Sequence, residues 1–353
     1  MKIYRFALIL AGFAALFFGL QRLLTPKYMS GVYDGALIAE YYSETKNHEV
    51  IFIGDCEVYE NFSPMTLFGE YGITSYIRGG AQQLIWQSYY LLEDTLRYET
   101  PEVVVFNVLA MQYGEPQSEA YNRLNLDGMT LSASKLNAVN ASLTKGEDAL
   151  SYIFPILRYH ERWQELTPDD LRYFVSRKSA GHNGYLMRNE VKPVTIIPDG
   201  AKLANYDFAE VCRVYLDKMR VLCEENGIDF VLVKAPTIYP HWYDEWEAQI
   251  ESYAETHGLL YVNFLEHIDD AGIDFAADTY DAGLHLNCSG AEKLSRYFGA
   301  ILTEKFGLSD KRSEPAAAAE YAAKLRDYEA MKTAQRSEFE TNGKAVTFTY
   351  SKS

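Results

Sequence analysis

Basic residues are in short supply. The chain carries 33 Lys and Arg against 49 Asp and Glu, a formal net charge of −16. A phosphate backbone is held by a compensating basic surface, so this balance argues against nucleic acid as a partner. It also speaks against a strongly anionic polymer held over a wide area, whereas neutral or zwitterionic glycans suit it better. Cysteine is scarce too, with only Cys56, Cys212, Cys223 and Cys288. They form no CxxC pair and no Cys/His cluster of zinc spacing, so no metal site is expected. Cys212 and Cys223 share nearly one helical face but lie three turns apart, too far to bridge. They read as core residues, and no disulfide framework is indicated. The apolar share of 48% and charged share of 23% are those of a folded protein, not a disordered one. Aromatics are plentiful, with 28 Tyr and 18 Phe. Such a surplus is common in carbohydrate-handling proteins, although core packing accounts for most of it.

One long apolar run is present. From Phe6 to Leu20 there is no charge, Lys2 and Arg5 precede the run, and counting on to Leu24 gives nineteen positions. That is close to the ~20 residues a membrane-crossing helix needs. The basic start favours a cytoplasmic N-terminus. A signal peptide is the competing reading, but Gly19-Leu20-Gln21 makes a poor cleavage site. Residues 1–25 are therefore read as a membrane anchor, with the remainder outside the cytoplasm.

Beyond it, apolar runs end at Gly54, at Gly79-Gly80 and at Asn107, and two more follow at Phe230–Val233 and Leu259–Phe264. Periodic helical stretches alternate with them at Pro64–Glu70, Gln82–Tyr98, Asp207–Glu225, Tyr243–Thr256 and Ser289–Phe306. The last opens on the capping box Ser289-x-x-Glu292. Continuous apolar strands alternating with helices predict a three-layer α/β/α sandwich around a five-stranded parallel sheet of flavodoxin-like type. Ligands of such sheets sit beyond the carboxyl ends of the strands. Residues 26–308 form this domain, interrupted by a mostly helical insertion, 109–206, expected over the active face as a lid or acceptor-recognition element. Residues 309–353 make a C-terminal helical tail.

Chemistry-bearing residues fall at those strand ends. Gly54-Asp55-Cys56-Glu57 follows the first strand directly. A nucleophile on a strand-to-helix turn is exposed at the sheet edge, with the amides of the turn aimed at a developing oxyanion. Asp281-Ala-Gly-Leu-His285 precedes the last helix. Each signal is weak singly: an Asn at a strand end is usually a turn residue, and a histidine is usually a surface or satisfied core residue. Glu57 is more often a helix N-terminal charge than an acid. The order is what carries weight.

In that order the chain resembles the SGNH/GDSL family across residues 49–108 and 207–307. The family has Gly-Asp-Ser after its first strand, a glycine after the second, an asparagine after the third and Asp-x-x-His before the last helix. The resemblance implies Cys56 as nucleophile, His285 as base and Asp281 as the group orienting the imidazole. Gly79 or Gly80, Asn107 and the Cys56 amide would then form the oxyanion hole. Asp55, Glu57 and Cys288 are candidates for lining the site, although Cys288 is equally a small core residue. Two departures stand out. Cysteine replaces serine at position 56, which permits an acyl-thioester and equally suits a site that no longer turns over. Three residues, not two, separate Asp281 from His285, which makes Asp278 a substitute for Asp281.

A short anchor on an extracytoplasmic domain of this kind is similar to the accessory proteins of cell-surface acylation, among them the teichoic acid D-alanylation and alginate and cellulose acetylation proteins. The resemblance implies acyl transfer to a cell-envelope glycan, with a membrane-bound O-acyltransferase as partner and no cofactor. The alternatives are a carboxyl-ester hydrolase or glycan deacetylase, and a non-catalytic glycan-binding or scaffold protein.

Overall fold

A computed structural model describes residues 2–352. Five parallel strands form the central sheet: β1 (Val50–Gly54), β2 (Ser75–Gly79), β3 (Val103–Asn107), β4 (Asp229–Lys234) and β5 (Leu260–Asn263), in the order β2-β1-β3-β4-β5. Side chains alternate across a strand, so each strand serves two cores. Phe52, Val105 and Val233 face one core, where they meet Phe62, Leu294 and Phe298. Ile53, Val104 and Leu232 face the other, with Trp86, Leu216 and Trp246. Both faces are thus covered by helices, which is why the strands read as unbroken apolar runs.

The helices that matter below are α1 (Lys2–Leu24), α2 (Cys56–Asn61), α3 (Pro64–Tyr71), α4 (Ile85–Thr95), α5 (Glu210–Glu225), α6 (Asp244–His257), α7 (Cys288–Phe306) and α8 (Pro315–Asn342). Helix α1 projects from the domain. Its Tyr4–Leu24 stretch, of mean hydropathy 1.9, is long and apolar enough to cross a membrane. Cys212 and Cys223 on α5 lie in the second core.

Two local features differ from the sequence reading. Helix α7 begins one residue early and is capped by Asn287, whose side chain accepts from the Gly290 amide at 3.2 Å. Glu292, expected in a capping box, instead accepts from the Tyr328 hydroxyl at 3.0 Å and pairs with Lys332. The insertion also does more than lie over a face. Its Glu119–Leu126 and Ala133–Ser142 helices pack on one another, and the second lies against α4, while residues 182–187 run into the first core. There Asn183 accepts from the Ile77 amide at 2.9 Å on the open edge of β2, and the Leu186 amide donates to Tyr59 at 2.8 Å. Finally, the helical tail is present as α8 and is packed into the domain: Tyr321 and Tyr328 are fully buried, and Tyr350–Ser351 pairs antiparallel with Lys178–Ser179.

Candidate active site

The 2-1-3-4-5 order places the reversal of strand order, the topological switch point, between β1 and β3, where ligands of open α/β sheets bind. Both strands end in residues singled out above. Gly54 closes β1 because nothing larger fits: a Cβ there would lie 2.5 Å from Val58 Cγ2 and 3.2 Å from Asn107 Cβ. The chain then turns into α2. Asp55 is its N-cap and accepts from the Glu57 amide at 3.1 Å, and its carbonyl takes the Val58 amide. Cys56, the first residue of the helix, keeps an amide with no intrahelical acceptor. Gly79 packs beside this turn, its Cβ direction facing the Gly54 carbonyl at 3.1 Å and the Asp55 carbonyl at 3.4 Å. Gly80 is pressed against Asn125, whose Oδ1 would be 2.2 Å from a Cβ.

His285 reaches the same place from the other end of the chain. Residues 279–286 form a tight turn closed by a Thr279–Leu286 bridge, with Ala282 and Gly283 at positive φ. The Thr279 hydroxyl donates to the His285 carbonyl at 2.8 Å, and the Leu286 amide donates to Asn61 Oδ1 at 2.7 Å, fastening the turn to the end of α2. The imidazole is a neighbour of the Cys56 thiol, close enough to interact with it electrostatically. Its Nδ1 lies 2.7 Å from Asp281 Oδ2 and 3.0 Å from Glu60 Oε2. Asp281 Oδ1 also accepts the His285 amide at 2.8 Å. The extra residue in the Asp-x-x-x-His spacing is thus absorbed by the positive-φ turn, and Asp281 keeps contact with the ring. Asp278 does not substitute for it: that carboxylate pairs with Lys293 at 2.6 Å and accepts the Asp274 amide.

Glu60 was missed by the sequence reading. The available signal was its spacing, four residues after Cys56 and so one turn along the same helical face. The Tyr280 hydroxyl donates to it at 2.5 Å, and the Tyr280 ring lies nearly parallel to His285. Burial alone would lower the His285 pKa, but the Glu60 carboxylate, the Cys56 sulfur and the Asp281 hydrogen bond outweigh it and raise it well above the ordinary value. Burial pushes the Cys56 thiol up to about 11, opposed by His285 and reinforced by Asp55. The carboxylates thus favour the protonated ring, and burial favours the protonated thiol. Glu60, Asp281 and His285 also bring three ligand atoms within 4.8 Å, a spacing that could hold a metal ion. A cation there would have to take the Nδ1 lone pair and displace its proton.

Three expectations need correcting. Asn107 is fully buried, and its Nδ2 is committed to Glu57 Oε2 at 2.9 Å and Asp55 Oδ1 at 3.2 Å, while its Oδ1 accepts the Ala235 amide. With both N–H groups held by carboxylates, it does not offer a donor to an oxyanion. Asp55 and Glu57 are likewise buried instead of lining the site. Glu57 forms an ion pair with Lys234 at 2.9 Å and accepts from the Thr237 hydroxyl, and Lys234 also donates to Thr237 at 3.0 Å and to the Ala235 carbonyl at 2.8 Å. Cys288 faces away, its Sγ 3.3 Å from the Tyr328 hydroxyl in the core beneath α8. Lys234 had no visible mark in the sequence, since a lysine closing an apolar strand looks like a surface residue.

No family model and no curated protein matches the chain. Among solved structures it is similar to a chain provisionally described as an acylhydrolase from Bacteroides fragilis, at 12% identity and a TM-score of 0.38. The overlap spans 76% of this chain and 95% of that one. It is too loose to bear on function.

Proposed function

We propose that the protein is an SGNH-type acyl-transfer enzyme anchored in the cell membrane, working through a Cys56 acyl-thioester. The observation that carries this reading is the proximity of the Cys56 thiol to His285, whose Nδ1 is held by Asp281 at 2.7 Å at the carboxyl edge of β1. That is the arrangement of a nucleophile, a base and an orienting acid.

The chemistry proceeds in two steps. Loss of a proton from His285 gives the free imidazole, which accepts the Cys56 proton as sulfur attacks an acyl carbonyl carbon. The oxyanion is met by the Cys56 amide and by the Gly79 or Gly80 amide. The tetrahedral adduct collapses to the thioester, and His285 returns the proton to the leaving oxygen. A glycan hydroxyl then gives its proton to His285 and attacks the thioester, releasing the Cys56 sulfur. Cell-envelope glycan is the acceptor favoured by the acidic balance of the chain, and a membrane-bound O-acyltransferase would supply the acyl group across the bilayer. Water in place of the hydroxyl would make the same site an esterase or deacetylase.

The raised Cys56 thiol favours a second reading, a non-catalytic glycan-binding scaffold. Incubating the full chain in detergent with an activated acetyl ester, followed by peptide mass analysis, separates the two. The enzyme reading expects one acetyl group on Cys56, absent in Cys56→Ala, slower to form in Cys56→Ser and strongly reduced in His285→Ala. Equal acetylation of Cys56 with and without His285, or none at any pH, removes it.

A further inference from the structure

The stretch 150–178 of the insertion presents apolar side chains to the outside. Leu150, Leu157, Trp163, Leu171 and Val175 are all exposed, Trp163 by 66% and Val175 by 89%. A water-facing segment of a monomeric domain does not ordinarily collect so many. The same stretch is fastened to α1. Phe154 packs on Phe17, with ring centroids 6.2 Å apart, and Phe17 in turn stacks on Phe13. The Arg162 Nη1 reaches the Leu24 carbonyl at 3.1 Å, covering the unsatisfied end of α1. Arg22 lies over the Phe174 ring at 5.3 Å.

Depth follows from these contacts. Phe17 precedes Leu24 by seven residues, which at the helical rise is roughly 10 Å along the axis. When Tyr4–Leu24 fills a hydrocarbon layer, Phe154 is carried to that depth and its neighbours lie at or just above it. We infer that residues 150–178 form a foot that enters the bilayer leaflet on the domain's side, with phospholipid as its partner; this rests on α1 crossing the membrane and is independent of the chemistry at Cys56.

Charge narrows the partner further. Arg158, Arg162, Arg172, Arg177 and Lys178 nearly balance Glu161, Glu165, Asp169 and Asp170, so apolar burial drives the contact, not attraction to anionic lipid. Beside the foot lies a cavity of about 710 Å³ lined by Lys27, Arg158 and Arg162 together with Glu165, Asp169 and Asp170. Of its lining residues Arg162 pairs with Asp170 at 2.7 Å and Arg158 with Glu119 at 2.7 Å, while Lys27 and Glu165 supply a cation and a carboxylate of the kinds that a zwitterionic headgroup's phosphate and ammonium meet. Trp163 suits the interface, where an amphipathic ring is favoured.

Tryptophan fluorescence tests this, because Trp86, Trp242 and Trp246 are buried in the protein. The full chain is reconstituted into phosphatidylcholine vesicles with brominated acyl chains, with or without phosphatidylglycerol, and co-flotation is checked. The foot expects bromolipid to quench a component that Trp163→Phe lacks, equally in both lipid compositions. Chain that floats while Trp163 stays open to aqueous acrylamide and untouched by bromolipid overturns the foot and leaves the anchor standing. Protection of Trp163 only in native membranes places a protein there and also overturns it. Chain that fails to float removes anchor and foot together.

Discussion

Two ionic clusters meet at α2, and they are built from the same residue types to opposite effect. The closed one, Asp55, Glu57, Asn107 and Lys234, is buried, and the Lys234 ammonium and Asn107 amide are matched to their acceptors. The open one, Cys56, Glu60, Asp281 and His285, holds one ring nitrogen between two carboxylates and leaves the sulfur half-buried. A satisfied buried network rigidifies its surroundings, while an over-supplied one keeps a proton in play. The difference teaches that the acidic residues nearest Cys56 in sequence do not reach the His285 ring. Asp55 and Glu57 hold the turn in place, and the acids that reach the imidazole come from one turn further along α2 and from the other end of the chain.

The comparison can be broken at four points. The largest effect is expected from Asp281→Asn, which leaves the geometry but disfavours the correct tautomer of His285: acetylation of Cys56 should slow by roughly 10³–10⁴. A mild effect there with a severe one in Glu60→Gln would transfer the orienting role to Glu60. Next comes Lys234→Met. Removing the only cation from the closed cluster leaves buried carboxylates unpaired, at a cost of about 3–5 kcal/mol, read as a lower urea midpoint at unchanged m-value. A loss below about 1 kcal/mol would mean that the ion pair does not hold the turn.

Glu60→Gln should be milder, about tenfold in rate, with a diagnostic sign. Glu60 stabilises the imidazolium and raises the Cys56 thiol. Without its charge both pKa values fall, so the rise of Cys56 alkylation with pH should move to lower pH. A profile that stays in place or moves up would contradict the open cluster as described. The smallest effect belongs to Cys288→Ser, which keeps a hydrogen-bonding group toward Tyr328. Stability should change by about 1 kcal/mol and Cys56 acetylation not at all.

The frame of the fold was readable because each strand is a closed apolar run, and the runs at Val50–Gly54 and Val103–Asn107 end on residues that do sit at the sheet's carboxyl edge. The meeting of Cys56 with His285 was readable from order along the chain. What could not be read was orientation. Asn107 ends its strand as expected, yet its amide turns toward Asp55 and Glu57, the latter held by Lys234 at the end of β4 and Thr237 in the loop after it, far along in sequence. The Asp281 spacing seemed too long because positive φ at Ala282 is not a property of alanine that pattern reveals. The role of α8 was hidden for a similar reason: its buried Tyr321 and Tyr328 sit in an Ala/Glu/Lys-rich stretch that looks solvated.

That helix bears on the order of biosynthesis. Cys56 leaves the ribosome early, whereas His285, α7 and the sealing tyrosines of α8 emerge late, and the insertion residues on the β2 edge pack in the core that Tyr321 and Tyr328 help close. A nascent chain therefore passes through a long interval with its thiol uncovered and its first core open on one side. Translation paced so that α8 follows promptly, or a chaperone shielding the uncovered face, would guard against oxidation and mispairing during that interval.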